Sequence, residues 1–206
     1  MNILLDDLPT GVKVDGQVWP IRTDFRVWIR LELLLQNKTL TPEEVAEKAL
    51  TLCYPTVPSY VGGALEALLW FYRCGADKVV PGVAESGADT AKKPKRAYDF
   101  EQDAGRLYAA FWSVYQIDLA SEGLHWWVFR ELMRNLPASC DFAKIMGYRT
   151  ADTAGMDKAQ KKHITKMRQI YALHSDAPAT LTARDRQMLD YVAKRYKEAE
   201  RNKNQS

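Results

Sequence analysis

Only three cysteines occur in this 206-residue chain, Cys53, Cys74 and Cys140, widely spaced and with no C-x-x-C pair. So odd and scattered a set supplies neither a disulfide framework nor a zinc site, and three reduced thiols in a cytoplasmic setting are expected. Long apolar runs are missing too. The densest, LELLL (31–35) and ALLWFY (67–72), fall far short of the ~18–20 residues that cross a membrane. Asp6 and Asp7 follow Leu4 and Leu5 directly, so no basic region leads into an apolar one and no secretion signal is expected. Phosphate loops, nucleophile elbows, H-E-x-x-H helices and calcium loops are absent. His125, His163 and His174 are scattered, whereas a metal needs convergent ligands. The carboxylate pair Glu43-Glu44 falls at a helix start, where dipole compensation explains it without catalysis. Nothing argues for an enzyme, a cofactor, a metal or a membrane span.

What is present is an ordinary soluble composition, 47% hydrophobic and 27% charged, at a length that suits one large domain or two small ones. The net charge of +3 is unevenly spread. Residues 76–97 and 151–206 carry the positive excess, while 1–75 and 98–150 are slightly acidic. In VKVDGQVWPIR (12–22), Asp15-Gly16 is a favoured hairpin turn, with Val12 and Val14 sharing a face with Trp19 and Ile21. Pro20 suits an edge strand, and two strands alone are marginal, so the hairpin should lie on helices.

Three helices follow. One runs from Phe25 to about Gln36, capped by Thr23 or Asp24. TPEE (41–44) starts the second, with Thr41 as cap, Pro42 at the first helical position and Glu44 reaching back. Val45, Ala49, Leu50 and Cys53 face inward. A third starts at Ser59 and buries Leu65, Leu68, Leu69 and Tyr72, with Gly75 just past its end; Gly62-Gly63 marks close packing or a loose first turn. Residues 76–97 read as a flexible basic linker ending in KKPKR. A second helical lobe, 98–175, opens with a capping box between Asp99 and Gln102 and a stripe of Phe100, Ala104, Leu107, Tyr108, Phe111 and Tyr115. Ser121 is the candidate cap of the next helix, which Pro137 ends, and CDFAKIMGYR (140–149) adds a helical turn or two. A basic helix (157–173) and a polar last helix with a frayed tail (176–206) complete the chain. The fold is therefore mainly α: two small helical lobes, the first carrying an N-terminal β-hairpin.

The stretch LHWWVFRELMRNL (124–136) holds the candidate contact site. Neighbouring helix positions diverge by about 100°, so Trp126 and Trp127 cannot share a face. On a helical wheel, Trp126 falls at the edge of an apolar arc of Val128, Phe129, Leu132, Met133 and Leu136, with His125 inside it. Trp127 falls among Arg130, Glu131 and Arg134. Tryptophan beside arginine is a composition found at interface hot spots, which makes Trp127, Arg130, Arg134, Glu131 and His125 candidates for partner binding. Packing of Trp127 against its own chain is the other reading. The helix KAQKKHITKMRQIYAL turns Ile164, Met167 and Tyr171 inward and gathers Lys158, Lys161, Lys162 and Lys166 outside. That face admits a solvated surface, an acidic protein partner or, least favoured, nucleic acid.

These residues also carry a resemblance. GVKVDGQVWPIRTDFRVWIR, DFEQDA (99–104), IDL (117–119), LHWW–F (124–129) and GYR (147–149) make the chain similar, over roughly residues 8–173, to the bacteriophage gp-fifteen family of tailed phages and prophages. The resemblance implies a non-enzymatic virion-morphogenesis protein acting in the host bacterial cytoplasm, similar to tail-assembly chaperones that keep the helical tape-measure protein soluble. A tape-measure or tail-tube protein would be its partner, and self-association stays open. The alternatives are a structural tail or connector component and a nucleic-acid-binding accessory protein acting through residues 151–206.

Overall fold

A computed structural model describes residues 3–76 and 95–174 of the chain. Most of the expected linker, and the whole of the expected C-terminal helix and tail, lie outside the described residues. Asp15 and Gly16 take φ of 47° and 79°, the left-handed pair that a two-residue hairpin turn requires. β1 (Gly11–Val14) thus pairs antiparallel with β2 (Gln17–Pro20), Val12 opposite Trp19 and Val14 opposite Gln17. Val12, Val14 and Ile21 are buried, as the alternation predicts.

Seven helices follow among the described residues: α1 (Phe25–Gln36), α2 (Pro42–Cys53), α3 (Val61–Tyr72), α4 (Ala104–Tyr115), α5 (Trp126–Arg134), α6 (Asp141–Thr150) and α7 (Lys158–Ile170). The molecule is mainly α. It divides into two compact units. Among the described residues, the first takes 3–76 and 124–129 and the second takes 95–123 and 130–174. The reading that gave all of 98–175 to one lobe therefore misplaced Leu124–Phe129. Long-range backbone pairing explains the difference. Phe25 N–H donates to Leu124 O and Trp126 N–H to Thr23 O, at 2.9 and 2.7 Å.

In the first unit, α1 is capped by Asp24, whose carboxylate accepts from the Arg26 N–H. Trp28, Leu31 and Leu35 recur at helical spacing and are fully buried. Complete burial of such a leucine is worth about 1.5–3 kcal/mol. The Thr41–Glu44 capping box opens α2. Its far end is closed from a distance: Arg22 Nη1 lies 2.9, 2.8 and 2.7 Å from the carbonyls of Thr51, Leu52 and Tyr54. A cation there satisfies orphan carbonyls at the negative end of the helix dipole. Helix α3 starts two residues later than Ser59 suggests, with no side-chain cap. The Tyr60 ring covers this start, and a Cβ on Gly63 would come within 2.6 Å of it. The glycine pair is there for close packing. Gly75 is not the first left-handed residue after α3. Cys74 takes that role at φ 58°, its N–H reaching Phe71 O while the Gly75 N–H reaches Trp70 O, the two bonds of a Schellman motif.

In the second unit, the expected Asp99–Gln102 capping box does not form. Asp99 instead makes a local turn, accepting from the N–H groups of Glu101 and Gln102, and the Gln102 amide goes to Ala172 O and His174 N–H. Helix α4 begins only at Ala104. Leu107, Ala110 and Phe111 are its buried face, while Ala104 and Tyr108, expected inside, are exposed. Helix α6 is longer than the expected turn or two. The centre of this unit is an ion pair: Arg149 Nη1 and Nη2 meet the two carboxylate oxygens of Asp103, with both side chains out of water. Arg149 also donates to Tyr171 O and Ala97 O, at 2.7 and 3.0 Å. Burial works against the Asp103 charge. Arg149, the Asp99 N–H and Arg106 outweigh that and hold its carboxyl below the usual range.

Candidate protein-binding surface

Trp127 is the residue on which a contact site at α5 depended, and it is only 4% exposed. Its indole N–H donates to Phe71 O at 2.8 Å, and its ring meets Trp70 edge-on with centroids 5.6 Å apart. A Cβ on Gly75 would come within 2.9 Å of the same ring. The outward tryptophan is thus corrected to an inward one. A wheel treats a helix as a rod with one wet side, but the first turn of α5 is enclosed in the first unit from both sides. Trp126 leaves the helix about 100° away, stacked with Trp28 and Tyr72 and donating its indole N–H to Tyr72 O at 2.9 Å.

His125 is the cap of α5, in place of Ser121, whose hydroxyl donates to Asp118. The Trp127 N–H donates to His125 Nδ1 at 3.1 Å, and Phe129 N–H to the His125 carbonyl. On the opposite edge of the ring, Nε2 lies 3.0 Å from Pro9 O. Since Nδ1 must accept, Nε2 carries the proton and the imidazole is neutral. Burial pushes its pKa down, against a smaller upward pull from the Pro9 bond. So His125 and Trp127 do come together, as a cap and not as a surface. Of the remaining candidates, Arg134 pairs with Glu131 at 2.9 Å on the outside of the second unit, and Arg130 there is half-buried.

Aromatic surface appears elsewhere in the second unit. Trp112 is 50% exposed and Tyr108, one turn before it on α4, is 40% exposed. Gly105, Ala109 and Ser113 are exposed beside them. The Asp118 carboxylate accepts from the Ala120 N–H and the Ser121 hydroxyl. Those bonds, the Ala120 N–H foremost, hold the Asp118 carboxyl below its ordinary range. Two large rings with two torsions each, one turn apart and about half wet, form a low-entropy contact platform. A wheel of α4 contains the signal for this. With Leu107 at 0°, Phe111 and Ala110 lie within about 60° of it, whereas Tyr108 and Trp112 lie at about 100° and 140°. Assigning Tyr108 to the core stripe ran past that edge.

No group of three or more His, Cys, Asp or Glu among the described residues is placed to hold a metal ion. No described helix is long and apolar enough to cross a membrane. Compared with known proteins, the chain matches the sequence model of the family described as Bacteriophage Gp15 protein over residues 4–173. No curated protein and no solved structure matches it.

Proposed function

The chain belongs to the bacteriophage Gp15 protein family, and from that premise we propose that it is a non-enzymatic tail-assembly chaperone that binds the helical tape-measure protein in the host cytoplasm. The observation that carries this reading is the exposed Tyr108–Trp112 pair on α4. Aromatic side chains this large usually leave water within a monomer. Spaced one helical turn apart, they match the side-by-side anchors that grip the apolar face of another helix. A chaperone for a long helical protein needs a surface of this kind, ready without refolding.

Co-expression with the phage's tape-measure protein is the test. The chain should co-purify with it and raise its soluble fraction, and Trp112→Ala should reduce capture about tenfold with an unchanged melting temperature. Mass spectrometry of finished particles should find the protein absent. Its presence there at stoichiometric levels, or unimpaired capture by Trp112→Ala with Tyr108→Ala, would overturn the reading.

A further inference from the structure

The second unit neutralises its charges locally. Arg96 pairs with Asp99, Arg106 with Asp103, Arg134 with Glu131 and Lys144 with Asp141, each three residues apart. Helix α7 departs from that habit. Between Lys158 and Ile170 there is no acidic residue, and Lys158, Lys161, Lys162 and Lys166 are all exposed. None of the four joins an ion pair or a side-chain hydrogen bond among the described residues.

The arrangement opposes the helix that carries it. Lysines four apart repel one another, and three of these lie in the first half of α7, where the dipole disfavours cations. Asp157, closing a capping box with Gln160, offsets part of this. The row continues without a break into a different chemistry. Residues 158, 162, 166 and 170 are successive members of one i,i+4 ridge, rising about 6 Å per step. Its last member, Ile170, is 58% exposed. A phosphate backbone would use the lysines but has no use for an isoleucine set in line with them. An amphipathic acidic helix uses both.

We propose that the α7 ridge Lys158–Lys162–Lys166–Ile170 is a docking surface for an acidic amphipathic helix of a protein partner, one with carboxylates four residues apart and an apolar residue one turn beyond them. Charge complementarity sets the register and Ile170 anchors one end. The surface is separate from the α4 pair and does not depend on which protein α4 receives.

The probe is a labelled helical peptide bearing three glutamates four residues apart and a leucine one turn beyond, titrated with the full chain by fluorescence anisotropy, together with a peptide of reversed order. One of the two should bind, weakening as salt is raised. K158E/K162E/K166E should lose at least tenfold in affinity and Ile170→Ser roughly three- to tenfold. Acidic residues favour a helix N-terminus, so the reversed chain should keep its fold; K158Q/K162Q/K166Q provides a second variant of the same sign. Trp112→Ala should bind the peptide like the unaltered chain, which separates this surface from the chaperone reading. The proposal falls if neither peptide binds, if charge reversal leaves binding unchanged, or if a short DNA duplex binds the ridge at least as tightly as the peptide.

Discussion

Trp126 and Trp127 leave their helix about 100° apart, yet their indole N–H groups end on adjacent carbonyls, those of Tyr72 and Phe71. These are the last two carbonyls of α3, and Phe71 O also takes the Cys74 N–H of the Schellman motif. With the Arg73 N–H on Leu69 O and the Gly75 N–H on Trp70 O, the final carbonyls of α3 are all bonded. The tandem tryptophan is a two-pronged cap.

Trp127→Phe keeps most of the ring and removes the donor, so it should cost about 1–3 kcal/mol, and Trp127→Ala about 3–5 kcal/mol. Urea unfolding, followed by circular dichroism, gives both values. Capture of a partner protein by Trp127→Phe should be unaffected while the chain is folded. A variant that loses capture with full stability would restore the outward reading.

His125 gives the first unit a dependence on pH whose sign follows from its bonds. The folded ring is neutral, and burial holds its pKa below the ordinary value. The unfolded chain takes up the proton at about pH 6.5, before the folded chain does. Stability is therefore complete above about 6.5 and declines as pH falls from there toward the lowered folded value. Proton NMR of the ring should show His125 titrating below the ordinary histidine value, and His125→Asn, which can still cap, should flatten the decline.

The Asp103–Arg149 pair predicts an asymmetry between breaking and replacing. Arg149→Met alone leaves a buried carboxylate without its partner and should cost about 3–5 kcal/mol. Arg149→Met with Asp103→Leu removes both charges and should recover part of that loss, though the Tyr171 and Ala97 carbonyls stay without their donor. For acid the sign is that of a depressed carboxylate. The pair stabilises fully above the ordinary carboxylate pKa of ~3.9 and is lost as pH falls through the lowered value. Chemical unfolding of the variants at pH 7 and of the parent chain from pH 5 to 2 measures both effects.

Local signals were the legible ones. The Asp15-Gly16 turn, the Thr41–Glu44 box, the Asp24 cap and the inward stripe of α1 each depend on residues within a few positions of one another, so the sequence displays them whole. The surface of α5 was not legible, because Trp127 is buried by Trp70, Phe71 and Gly75, more than fifty positions away. Arg22 closing α2 and Arg149 joining Asp103 to the end of α7 belong to the same class. Side-chain donors serving distant carbonyls leave no periodicity to read. Asp99 and Gln102 show the converse failure: the capping-box spacing was present and Asp99 accepts from the Gln102 N–H, but the Asp99 N–H goes to Asp103 and the distant Ala172 and His174 take the Gln102 side chain.

One guanidinium, that of Arg149, holds Ala97 O and Tyr171 O together, and so ties shut a loop made of nearly the whole second unit. Closing so long a loop is an entropic cost that contacts formed early in the sequence cannot offset piecemeal. On a ribosome, the unit cannot complete its centre until Tyr171 has left the exit tunnel. The centre is thereby completed only after α7 has been made, and truncation anywhere before that tyrosine should leave α4 and α6 without a finished core.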